Sequence, residues 1–103
     1  MDLDSLYDGA ADLILQRGWR QGPRRNDDSV CLVEALLVVA GPDSTLVKPA
    51  FRQLFAQLRL IKRRRTTYGE ALIRWNDHPE THMQNVVGEL RRAAWNKERG
   101  FNA

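Results

Sequence analysis

Residues 30–40 read VCLVEALLVVA, and their conformation decides the fold class, because the other apolar segments of this 103-residue chain repeat at helical spacing. Val30, Cys31, Leu32, Ala35, Leu36, Val38 and Val39 are dense enough for a buried strand. The length of the run, its Ala35-Leu36 centre and the Gly41-Pro42 stop behind it favour a helix over 29–40, capped by Asp28 or Ser29. With this run helical, the chain is predicted to be all-α.

Toward the N-terminus, Leu3, Leu6, Tyr7, Ala10, Leu13 and Ile14 recur every three or four residues, which predicts a helix over 4–17. Its acidic start and Arg17 end complement the helix dipole, and Gly18 can close it in the left-handed conformation. Residues 18–28, GWRQGPRRNDD, have no periodicity and form a loop carrying one aromatic, Trp19.

Toward the C-terminus, Pro49 suits the first turn of a helix over 49–63, whose apolar face is Phe51, Leu54, Phe55, Leu58 and Ile61 and whose end is the basic run Lys62 to Arg65. Thr67 and Glu70 have the spacing of a capping box, which opens a short helix over 67–75. Pro79 opens a last helix over 79–98, with Asp77 or His78 as its cap and a stripe of Met83, Val86, Val87, Leu90 and Ala94. The predicted fold is a compact single-domain bundle of about five short helices spanning 1–103.

Composition agrees with one globular core. Hydrophobic residues make up 43% and charged residues 28%, and a chain of this length buries roughly two-thirds of its unfolded surface. Cys31 is the only cysteine, so no disulfide or paired-cysteine metal site can form within the chain; set in an apolar run, it reads as a small core residue. The opening MDLDSLYD is acidic where a secretory signal would be basic, and no apolar stretch approaches the roughly 20 residues of a membrane span. A cytoplasmic protein without membrane contact is expected. The net charge of +3 is a mild basic excess.

Three strings stand together: GW-x-QG at Gly18 to Gly22, C-L-x-x-A-L at Cys31 to Leu36, and L-I-R-W-N-D at Leu72 to Asp77, followed by a Val-Val-x-x-Leu helix. In these the chain resembles a family of short uncharacterised proteins of actinobacteria and their phages. The resemblance covers the first forty residues and roughly the last forty, leaving Pro42 to Arg65 outside. It implies an origin and a shared core rather than a reaction. That family usually carries Gly where this chain has Glu34, which implies looser packing of the second helix here.

The candidate sites are few. Asp77, His78 and His82 invite an acid/base or metal reading, and helical spacing would put both histidines on one face. But H-P-E-T-H is not the zinc-peptidase motif and no third ligand stands near, so structural roles are expected: Trp75 in the core, Asn76 on turn backbone and Asp77 as a cap. Trp19 is either a partner anchor or, as favoured, a lid over the helices. With no phosphate loop and no paired carboxylates, neither an enzyme nor a cofactor is expected. The expected function is that of a small helical adaptor or regulator that binds another protein, perceived through Trp19, Trp95 and Phe101, as a monomer or homodimer. The alternative is weak nucleic-acid binding through Arg59, Lys62, Arg63, Arg64 and Arg65, although only Tyr68 is near enough to stack on a base.

Overall fold

The computed structural model describes residues 1–95, which form α1 (Leu3–Arg17), α2 (Leu32–Ala40), α3 (Val47–Gln57), α4 (Tyr68–Asn76) and α5 (Met83–Ala94). The fold is all-α, as the periodicity predicts. α1 is the central element, lying along both α5 and α2, while α3 packs on α4. Leu6, Ile14, Leu36, Leu54, Leu72 and Leu90 are fully buried; each such side chain contributes roughly 1.5–3 kcal/mol of burial. Gly9 lets α1 and α2 approach closely, since a Cβ there would lie 2.8 Å from Val39 Cγ1. The Tyr7 hydroxyl donates to the Ala50 carbonyl at 3.0 Å, tying α1 to α3, and burial pushes the Tyr7 pKa up.

Helix ends differ from the expectation wherever a non-local contact competes. α1 and α4 begin and end within a residue or so of the predicted limits, with Asp2 and Thr67 as their side-chain caps. α2 starts at Leu32 rather than 29. Val30 is held back by a parallel bridge to Trp19: the Val30 N–H donates to Gly18 O at 3.0 Å and the Arg20 N–H donates to Val30 O at 3.1 Å. Cys31 is therefore half-buried at the cap, packed against the edge of the core with its Sγ accepting from the Glu34 N–H at 3.4 Å.

α3 starts earlier than Pro49 because a 3-10 turn, Ser44–Leu46, feeds directly into it; Pro49 still falls in the first turn, where no N–H is needed. It also ends at Gln57, well short of 63. Arg59 takes φ 55°, its N–H donates to Ala56 O at 3.1 Å and the Leu60 N–H donates to Phe55 O at 3.2 Å. This is a Schellman closure, normally built on glycine. The reversal turns Leu60 toward the core and leaves Ile61, expected on the buried face, 94% exposed. Arg59→Gly should accordingly stabilise the fold by about 0.5–1 kcal/mol, the relief of the left-handed arginine less the freedom glycine adds to the unfolded chain. A thermal melt that falls rather than rises would contradict this account of the turn.

α5 begins at Met83, not 79. Residues 78–81 form a turn in which the Thr81 N–H donates to His78 O at 2.9 Å and the Thr81 hydroxyl donates to Trp75 O at 2.8 Å. His82 caps α5, with Asn85 Oδ1 accepting its N–H at 2.8 Å. Asp77 and His78 cap nothing in α5, and the two histidines share no helix face. The expected extension to 98 lies partly outside the described residues.

Candidate functional site

Two constellations are distinctive, and the first joins motifs far apart in sequence. Asn76 closes α4 at 0% exposure. Its Oδ1 accepts from the Trp19 indole at 2.7 Å and from the Leu32 N–H at 3.0 Å, and its Nδ2 donates to Arg20 O at 3.0 Å. Asp77 Oδ1 accepts from the Gly22 N–H at 2.9 Å, and the Gln21 side-chain amide reaches the carbonyls of Asn76, His78 and Thr81 at 3.1, 2.8 and 3.2 Å. The GW-x-QG loop and the W-N-D turn are thus each other's hydrogen-bond partners.

Beneath this clasp, Arg20 is only 5% exposed, with Nη2 donating to Glu34 at 2.7 Å and Nη1 to Ser29 O at 2.7 Å. Glu34, the residue that departs from the resembled family, turns toward Arg20 rather than holding α2 away from its neighbours. Asn76 serves α2 and the loop rather than its own turn, and Trp19 is half-buried with its N–H engaged, as a lid would be. His78 Nδ1 accepts from the Glu80 N–H at 3.1 Å. Among the described residues, no three histidine, cysteine or acidic side chains converge as a metal site.

The second constellation is the strap 58–67 between α3 and α4, with a turn at its tip in which the Thr66 N–H donates to Arg63 O at 3.0 Å. Arg59, Arg63, Arg64 and Arg65 are exposed, and none forms an ion pair among the described residues. The arginines of α5 differ: Arg91 binds Asp12 at 2.6 Å and Asp8 at 3.1 Å on α1, which raises its pKa, and Arg92 lies 3.6 Å from Glu89 of the same helix. Lys62 is half-buried, its Nζ 5.1 Å above the Tyr68 ring, and Phe55 meets that ring edge-on at 5.0 Å.

A groove flanks the strap on each side. One, of about 460 Å³, is lined by Val47, Lys48, Phe51, Tyr68 and Gly69; the other, of about 200 Å³, by Leu60, Ile61, Ala71, Arg74 and Trp75. Lys62 and Thr66 line both, so the strap is the wall between them. The sequence pattern hid this face by placing Ile61 inside a helix. Of the expected partner-binding aromatics, Trp95 is 77% exposed at the end of α5, far from Trp19 in role, and Phe101 lies outside the described residues. No helix of the described residues is long and apolar enough to cross a membrane.

Compared with known proteins, residues 2–96 match the model of a family of unknown function, DUF6197. The match spans Pro42 to Arg65, which the motif resemblance had left outside. No curated protein and no solved structure matches the chain.

Proposed function

This chain belongs to the family of unknown function DUF6197, and we propose that it is a small non-enzymatic adaptor or regulator that binds another protein through the strap 58–67. The observation that carries this is Ile61: a large β-branched side chain left 94% exposed at the wall between two grooves with apolar linings. Exposed apolar surface rimmed by polar groups suits a protein interface. The non-enzymatic reading is supported by the clasp, whose most chemically suggestive residues are engaged in holding the fold. If the chain acts in the cytoplasm of an actinobacterium, or is a phage product there, the partner is a host protein.

Weak nucleic-acid binding is the second reading, favoured by the unpaired Arg59, Arg63, Arg64 and Arg65. It would weaken steeply with salt, with a log–log slope of roughly −0.9 per phosphate neutralised on duplex DNA.

Site-specific photo-crosslinking separates the two. With benzoylphenylalanine in place of Ile61, irradiation of living source cells should give a discrete protein adduct that survives nuclease and fades when Arg63, Arg64 and Arg65 are all alanine. An adduct removed by nuclease would hand the strap to nucleic acid, and an adduct from a second probe replacing Trp95, with none from position 61, would move the interface to the end of α5.

A further inference from the structure

The strap's chemistry narrows the kind of partner. Its cations face little opposing charge: Glu70 receives the Thr67 hydroxyl at 3.1 Å, and Asp77 is tied to Gly22 and Asn76 at 2.9 and 3.0 Å. Elsewhere in the molecule Arg20, Arg91 and Arg92 meet carboxylates of the same chain. Arg17, Arg24, Arg25, Arg52 and Arg74 are also exposed and without an ion pair among the described residues, so what distinguishes the strap is density, with Arg59, Arg63, Arg64 and Arg65 close together in the chain beside the grooves; guanidinium groups bind carboxylates in paired fashion.

The grooves argue against a nucleic acid as the ligand. Base stacking needs an open ring face, but Tyr68 has Lys62 over it and Phe55 at its edge, while the Phe51 ring lies against Gly69, where a Cβ would come within 3.1 Å of it. What remains beside Lys48 is a hollow between Val47, Phe51 and Tyr68 that fits an aliphatic side chain. The strap backbone adds a further feature. Residues 60–63 are non-helical, and among the described residues the N–H groups of Ile61, Lys62 and Arg63 have no hydrogen-bond acceptor. Free N–H groups of this kind can donate to the carbonyls of a bound peptide.

Resting on the protein-binding reading above, we infer that the partner presents an extended acidic segment with at least one large apolar side chain. The apolar side chain enters the groove of Val47, Phe51 and Tyr68, and the carboxylates lie against Lys48 and Arg63 to Arg65.

Fluorescence anisotropy on the full chain tests this with a short labelled peptide of aspartate and serine bearing two leucines. It should bind, and should lose about tenfold or more in affinity either when its leucines become serine or when Arg63, Arg64 and Arg65 become alanine, all three being exposed and outside the core. A serine peptide that binds as well as the leucine one would overturn the groove assignment. A labelled single-stranded oligonucleotide that binds more tightly than the leucine peptide would overturn the peptide assignment. Absence of peptide binding while the nuclease-resistant adduct at position 61 persists would overturn this inference alone and leave the protein-binding reading in place.

Discussion

Replacing Asn76 by alanine should cost about 3–4 kcal/mol of folding stability, a large part of what a domain this size has to lose. The substitution leaves the Trp19 indole N–H, the Leu32 N–H and the Arg20 carbonyl without the partner they share at 2.7, 3.0 and 3.0 Å. An orphaned buried polar group costs about 1–3 kcal/mol, and relaxation of the loop recovers part of the total. Trp19→Phe should cost only about 1 kcal/mol, because Asn76 Oδ1 keeps the Leu32 N–H. Urea unfolding of the two single variants and the double variant measures the coupling: the double variant should be less destabilised than the sum of the singles by about 1 kcal/mol. A loss below about 1 kcal/mol for Asn76→Ala would mean that the clasp is dispensable.

The clasp joins segments that no local pattern relates. Five helices were legible because their apolar spacing is local information, and Thr67 and Gly18 marked their ends through local chemistry. The clasp was not legible, since nothing in GW-x-QG or W-N-D says that residues 57 positions apart, such as Trp19 and Asn76, satisfy one another. Asn76 was expected on turn backbone and Asp77 as a cap; their hydrogen bonds reach Trp19, Arg20, Gly22 and Leu32, distant in sequence. The strap failed to show for a related reason. A helix that ends on left-handed Arg59 instead of glycine carries no stop signal, so Ile61 was counted with the buried face of α3 although the reversal exposes it. The basic residues of the strap were visible as composition; their freedom from internal acids was not, because Arg20 and Arg91 look no different in sequence and are paired.

That contrast between spent and free arginines gives the second large effect. Glu34→Ala should destabilise the protein by about 3 kcal/mol, because it strands the Arg20 guanidinium, 5% exposed, with only Ser29 O at 2.7 Å. The figure stands at the low end for a broken buried pair because Glu34 is itself 24% exposed, so water can reach the arginine's tip. Glu34→Gly should cost about 1 kcal/mol more, through the poorer helix propensity of glycine inside α2. Removing both charges is a different matter. Arg20→Met with Glu34→Leu replaces an ion pair by apolar side chains and removes the buried Arg20 Nε, which has no partner; the double variant should lie within about 1 kcal/mol of the parent, as buried pairs often contribute little against an apolar substitute. Because Arg20 is 5% exposed and Glu34 24%, the pair is only partly screened, and the Glu34→Ala loss should shrink modestly at high salt. A double variant as unstable as Glu34→Ala would show that Arg20 is needed for more than its ion pair, with its bond to Ser29 O acting as a fixed strut within the loop that leads into α2.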